Sequence, residues 1–198
     1  MPDQMSPQDL NERLALIEGM IAEGRRDTAN WAWCFVLSGA AFYVAMAWAA
    51  WGGGGVLSWP VTMAAASAIT VFLATRKKRN YPSTTFGRSV SSVWIAVGIS
   101  MFVLLSALGW KGLLEQQIFM GIMSAMLGAA NAASSLILKW KAQFACALVW
   151  WTTCAACVSG TGKLGTIALV AGIFLCQIVF GIYAMIREAG KHREIVHA

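Results

Sequence analysis

The chain has 198 residues, of which 58% are apolar and only 12% are charged, and its net charge is +6. A soluble domain carries roughly 25% charged residues, so this composition excludes an ordinary soluble protein. The mean hydropathy of +0.62 indicates a membrane protein. All five cysteines lie in apolar runs, which excludes the disulfide framework of a small secreted domain.

The first segment of the chain, residues 6–21, predicts an amphipathic helix. Ser6 can cap it, Pro7 suits its first turn, and Asp9 completes a capping box. Acidic residues outnumber basic ones, whereas a helix on anionic lipid is usually basic. We therefore expect its apolar stripe to pack on protein, either the inner face of its own bundle or another chain. The stripe has spacings of four, three and four residues: Leu10, Leu14, Ile17 and Ile21.

After a tether at residues 23–30, six apolar stretches follow, and none has a charged residue or histidine in its interior. Most approach the ~20 residues that cross a hydrocarbon core, and the fifth is the shortest. Because a spanning backbone must satisfy its own hydrogen bonds, each stretch predicts a helix. The stretches are Trp31–Trp51, Val56–Thr75, Ser89–Trp110, Gln117–Leu138, Gln143–Val158 and Leu164–Ile186.

The placement of lysine and arginine predicts the orientation. With both termini in the cytoplasm, 13 of the 15 basic residues lie inside and only Lys111 and Lys163 lie outside. The connections predicted to lie outside are short, so the chain is predicted to form three hairpins. The expected organisation is a cytoplasmic helix and linker at 1–30, a six-helix bundle at 31–186 and a cytoplasmic tail at 187–198.

The connection between the second and third stretches, "RKKRNYPSTTFGR" at 76–88, is strongly basic. We predict that it lies against the anionic headgroups of the cytoplasmic leaflet. Nucleic-acid binding would need a folded basic surface, and the segment is short, so no nucleic-acid partner is expected. The basic residues are Arg76, Lys77, Lys78, Arg79 and Arg88.

Small residues recur along the fourth stretch. Ser124, Gly128 and Ala132 form a second row beside the main one. Such rows let helix backbones approach closely in lipid, so we expect a packing seam here. The alternative is the wall of a solute pathway, which would use the hydroxyl and amide groups of the same helix. The main row is Gly121, Ala125, Ala129 and Ala133.

Asn131 and Gln177 are amides placed deep within the predicted spans. Each would be unfavourable against lipid, so each is expected to face protein or water. An interhelical hydrogen bond is the main prediction for both, and contact with a solute is the alternative.

The sequence contains no recognisable catalytic set. Its predicted spans hold no carboxylate and no histidine, and a hydroxyl without a base is not a nucleophile. The pair Cys154 and Cys157 suggests a membrane thiol oxidoreductase, but it would lie at the C-terminal end of a helix, where a thiolate gains nothing from the helix dipole. We expect no enzyme activity, no cofactor and no metal.

Three phrases, "WAW" at 31–33, "WPVTM" at 59–63 and "WIAVGIS" at 94–100, follow the short polar helix. In these the chain resembles a family of small, uncharacterised bacterial inner-membrane proteins with six predicted spans. The resemblance covers mainly the first three spans. It implies the topology and the bacterial inner membrane, and no activity.

Two functions are compatible with these features. The first is a non-enzymatic regulatory or assembly subunit, either a homo-oligomer or part of a larger membrane complex, that uses the N-terminal helix and the small-residue seam. The second is a small channel or facilitator for a neutral or weakly charged solute.

Overall fold

The computed structural model describes residues 7–52, 58–76, 85–113 and 115–187, and every regular element in these ranges is helical. The predicted all-α class is confirmed. The helices are α1 (Pro7–Asn30), α2 (Ala32–Trp51), α3 (Ser58–Arg76), α4 (Thr85–Trp110), α5 (Gln116–Leu138), α6 (Lys141–Ser159) and α7 (Gly162–Ile173), which continues through a π-helix (Phe174–Val179) into a last helical segment, 180–187.

Five of the described helices are long and apolar enough to cross a membrane: α2, α4, α5, α6 and α7 with its continuation to Arg187. The fifth predicted stretch was the shortest, yet α6 has 19 residues because the helix also includes Lys141, Ala142 and Ser159. The shorter helix is α3, whose apolar part within the described residues is Ser58–Leu73.

The most extensive contact in the fold is the hairpin of α5 and α6. α7 packs on α6, α2 packs on the π-helix and on α3, and α4 packs on α5. α1 contacts α4, α5 and the start of the bundle at α2. The largest buried side chains therefore come mainly from α5, α6 and α7, and include Leu138, Trp150, Leu169 and Ile173.

Glycines spaced by seven residues make the crossing of α5 and α6 close. A Cβ added at Gly128 would lie 2.5 Å from Cδ1 of Trp151, and one at Gly121 would lie 2.9 Å from Cγ2 of Val158. Both distances are below ordinary van der Waals contact, so only glycine fits without movement of its neighbour.

α7 uses the same device against the other side of α6. A Cβ at Gly165 would lie 3.1 Å from Cα of Cys157, and one at Gly172 would lie 3.0 Å from Oγ1 of Thr153. α6 is therefore held between two glycine-bearing helices, a packing in which small residues replace the hydrophobic driving force that lipid does not supply.

The buried line on α5 differs from the main row of small residues. A step of four residues turns an α-helix by about 40° beyond a full circle, so a row of fourth residues rotates steadily away from one face. Ala125 and Ala133 are half-buried and Ala129 is exposed. The buried positions alternate steps of three and four instead: Gly121, Ser124, Gly128, Asn131 or Ala132, and Ser135.

A further close crossing joins α2 to the end of α7. A Cβ at Gly39 would lie 2.8 Å from Cβ of Gln177, and one at Gly181 would lie 2.7 Å from Cγ2 of Val36. Tyr43 also donates a hydrogen bond from its hydroxyl to the carbonyl of Val170, at 2.9 Å. This contact brings the first and last apolar helices together and closes the bundle.

Candidate interaction surface and polar file

An arginine on α1 contributes to its docking on the bundle. Arg25 donates from Nε to the carbonyl of Leu138 and from Nη2 to the carbonyl of Lys139, both at 2.6 Å. These carbonyls lie at the C-terminus of α5, where carbonyls lack intrahelical partners and the helix dipole favours a cation. The side chain of Arg25 therefore ties the N-terminal helix to the end of the central hairpin.

One of the two carbonyls that Arg25 binds belongs to a residue in an unusual conformation. Lys139 has φ 49° and ψ 41°, the left-handed region that normally favours glycine. The amide of Trp140 donates to Ser135 at 2.9 Å and that of Lys139 donates to Leu136 at 3.4 Å. This is the Schellman arrangement that ends a helix, with lysine at the position where glycine is usual.

The apolar stripe of α1 divides into a covered and an uncovered part. Ile21 is buried, whereas Leu10, Leu14 and Ile17 are exposed, Leu14 to 51% of its full accessibility. Gly24 and Thr28, one and two turns beyond Ile21, are buried as well. The bundle of the single chain thus covers α1 only from Ile21 onward.

The uncovered stripe lies on the same helix face as the docked residues. Successive steps of four and three residues keep Leu14, Ile17 and Ile21 within about 60° of one another and in line with Thr28. Leu16 is also exposed, to 64%, but it lies on the opposite side of the helix. The face that packs on α4 and α5 therefore continues beyond them as an apolar surface.

α1 is continuous from Pro7 to Asn30, so residues 23–30, expected to form a tether, are helical as well. Thr28 donates a hydrogen bond to the carbonyl of Gly24 at 3.0 Å within this segment. No break separates the exposed N-terminal part of the helix from its docked C-terminal part. The two parts therefore form one continuous helix, which Arg25 attaches to the bundle.

The second notable region is a row of buried polar atoms in the central hairpin. In the part of the chain that the structure describes, seven buried side-chain nitrogen and oxygen atoms have no hydrogen-bond partner, and all lie on α5, on α6 or at the turn between them. We call them the polar file: Ser124 Oγ, Asn131 Oδ1, Ser134 Oγ, Trp140 Nε1, Gln143 Nε2 and Oε1, and Trp150 Nε1.

The file runs along much of the hairpin. Ser124 and Ser134 are ten residues apart, which is about 15 Å along a helix. Gln143 is 0% exposed, and both atoms of its amide lack a partner. A buried amide without a hydrogen-bond partner lowers stability by about 1–3 kcal/mol. A row of such groups is therefore unusual in a protein interior.

The two amides singled out in the sequence behave differently. Asn131 is buried and donates from Nδ2 to the carbonyl of Leu127, one turn earlier in its own helix, at 2.8 Å. Gln177 is buried in the π-helix and accepts a hydrogen bond from Oγ of Ser38 at 3.1 Å. Gln177 thus joins two helices, whereas Asn131 leaves its Oδ1 in the polar file.

An open recess of about 470 Å³ lies where the N-termini of α5 and α7 meet. Met120 is buried at the inner side of the recess. The Cε atom of Met120 lies 3.6 Å from the position that a Cβ on Gly165 would occupy. Ser124, the first member of the polar file, follows Met120 by one helical turn. The polar residues of the recess are Gln116, Gln117, Lys163 and Thr166.

The two cysteines singled out in the sequence, Cys154 and Cys157, lie near the C-terminal end of α6. Cys154 is half-buried, and Cys157 is buried with its Sγ 3.5 Å from the carbonyl of Gly165. Both are free thiols. Within the described ranges, no three His, Cys, Asp or Glu residues are close enough together to hold a metal ion.

The basic connection at 76–88 is described only in part. Arg76 lies over the ring of Phe72, with Cζ 4.4 Å from the ring centroid, and Arg88 is exposed. Lys77, Lys78 and Arg79 lie outside the described residues.

Comparison with protein-family models, with curated proteins and with solved structures finds no match to this chain. The resemblance to six-span bacterial inner-membrane proteins stays a prediction. Two regions of the molecule bear on its function: the uncovered part of α1 and the polar file.

Proposed function

We propose that the protein is a non-enzymatic membrane subunit that binds another protein chain through the N-terminal half of α1. The single observation that carries this proposal is the exposure of Leu10, Leu14 and Ile17 on a helix whose base is clamped by Arg25. A helix held at one end presents its free apolar face without the entropy loss of ordering a loose segment, and such a preorganised face favours binding.

Protein is a better partner than lipid for this face. Between Pro7 and Ala22 the helix carries Asp9, Glu12 and Glu18 against a single base, Arg13. An anionic leaflet repels a net negative segment, by about 1 kcal/mol for each charge near the surface. An apolar stripe of this spacing is the usual anchor of a helix in a protein groove.

The proposed setting is the bacterial inner membrane, with six spans as three hairpins and both termini in the cytoplasm. The charge asymmetry of 13 against 2 supports it. In this arrangement α3 is the second span, and its basic end faces anionic headgroups. Reporter fusions after Gly54 and Gly162 should read outside and one after Asn80 inside; an inside signal at either glycine would refute the topology.

The double substitution Leu14→Asp with Ile17→Asp tests the interaction. Burial of a carboxylate in an apolar protein interface is strongly unfavourable. The variant should therefore lose the chain that co-purifies with the wild type in mild detergent. Native mass spectrometry of the purified complexes gives the readout. Deletion of residues 1–22 should have the same effect.

Leu16→Asp is the matched control. It introduces one carboxylate, against two in the double variant, on the same helix at a residue of similar exposure but on the opposite face. Its complex should have the wild-type mass. If the double variant and Leu16→Asp keep equal amounts of partner, the apolar stripe is not the binding face and the proposal fails.

A second candidate is a facilitator for a neutral or weakly charged solute, and the polar file is the observation that favours it. A pathway must replace the hydration of its solute with polar groups, and this row of unpartnered atoms could do so. Asn131→Leu should then abolish entry of glycerol or urea into proteoliposomes, whereas deletion of residues 1–22 should not. Ala129→Leu, on an exposed position of the same helix, is the control.

A further inference from the structure

The recess between α5 and α7 and the polar file lie in sequence along one helix. Gln116 and Gln117 line the recess, Met120 lies at its inner side, and Ser124 follows one turn deeper. Asn131 and Ser134 continue the row towards the end that Arg25 clamps. Polar groups therefore recur along α5, with buried apolar side chains between them at Met120 and at Leu127.

We propose that this recess is the entry site of a solute pathway and that Met120 is its gate. The inference rests on the second candidate function, and it adds the entrance, the gate and the class of solute. Met120 is buried against α7 at the position of Gly165, where its unbranched side chain has three rotatable bonds. Rotation of that side chain away from Gly165 is the proposed opening movement, and Ser124 is the next polar side chain along α5.

The charges along the route select the solute. Lys163 is the one ionisable residue among those that line the recess, and it repels cations. The polar file beyond it holds hydroxyl, amide and indole groups only, so a desolvated ion would find no counter-charge there. The pathway therefore fits a small neutral molecule that both donates and accepts hydrogen bonds, such as water, a polyol or an amide.

The test uses the purified full chain in phosphatidylethanolamine and phosphatidylglycerol liposomes, with glycerol as the neutral probe and choline as the cation. Light scattering follows swelling of the vesicles. Wild type should admit glycerol faster than empty liposomes and choline no faster. Met120→Ala should raise the glycerol rate several-fold because it removes the gate side chain.

Met123→Ala is the matched control, because Met123 is an equally buried methionine on α5 outside the recess. It removes the same volume, so it should leave the rate at the wild-type value. Equal acceleration in both variants would indicate a loosened bundle and overturn the gate, as would wild-type rates in both.

A second measurement does not depend on truncating the side chain. Met120→Cys should let a thiol reagent added from the recess side slow glycerol entry, whereas wild type with its five native cysteines should be unaffected. If Asn131→Leu abolishes glycerol entry but neither Met120 variant alters it, the gate is refuted and the facilitator function is retained. Absence of glycerol entry in wild type and in Met120→Ala would overturn both, while the α1 interaction would still be decided by co-purification.

Discussion

The adjacent helices α4 and α5 have opposite relations between hydropathy and burial. α4 is the more apolar, with a mean hydropathy of 2.1, yet only 6% of its spanning window is buried; α5 has 1.5 and is 61% buried. In water the more apolar helix would occupy the centre. In a bilayer the lipid already solvates apolar side chains, so small and polar residues specify which helix lies inside.

The largest expected effect is that of an arginine substitution, which distinguishes a side chain exposed to lipid from one exposed to water. Ile99 is 59% exposed near the middle of α4, and Leu16 is 64% exposed on α1. Ile99→Arg should make the free energy of inserting α4 into the membrane less favourable by about 3 kcal/mol, the usual effect of a charge at the centre of a span. Leu16→Arg should leave insertion unchanged. Equal insertion of the two variants in a translocation assay would mean that α4 does not face lipid.

A smaller effect compares two glycines on the two helices. A Cβ at Gly128 of α5 would meet Trp151 at 2.5 Å, whereas one at Gly98 of α4 meets no atom within 4 Å. Gly128→Leu should destabilise the bundle by about 1–3 kcal/mol through overpacking, seen as a lower melting temperature in detergent. Gly98→Leu should match wild type, and a comparable loss there would remove the distinction between the helices.

The smallest effect concerns the end of α5. A non-glycine residue in the left-handed region is strained by about 1–2 kcal/mol, and Lys139 has φ 49°. Lys139→Gly should therefore raise stability by about 1 kcal/mol, measured as the same melting transition. Lys141→Gly, just inside the α6 helix, should instead lower it, because glycine disfavours helix.

Part of the architecture was predictable, because apolar length is a local property of the sequence; the orientation argued from positive charge stays a prediction. The helical class and the positions of the five long apolar helices followed from apolar length. The buried line on α5 did not, since small residues at fourth positions and at three-four positions overlap at Gly121 and only packing against α6 decides between them. A heptad count, applied to Gly121 and Gly128 or to Gly165 and Gly172, would have indicated the close crossings.

The two candidate sites were predictable to different degrees. The stripe on α1 was visible as a pattern, but its exposure depends on where α4 and α5 end, which is a tertiary property. Trp140, Gln143 and Trp150 of the polar file gave no signal, because an amide or indole looks the same in sequence whether or not it has a partner. The clamp by Arg25 also went unpredicted, since its acceptors are backbone carbonyls.

The clamp has a consequence for the order of biogenesis. Arg25 binds carbonyls that lie 113 and 114 residues later in the chain. During synthesis α1 leaves the ribosome long before α5 exists, so for most of translation its acceptors have not been made. The contact made by Arg25 therefore cannot form until α5 has been synthesised, and the position of the N-terminal helix becomes coupled to the presence of that central helix.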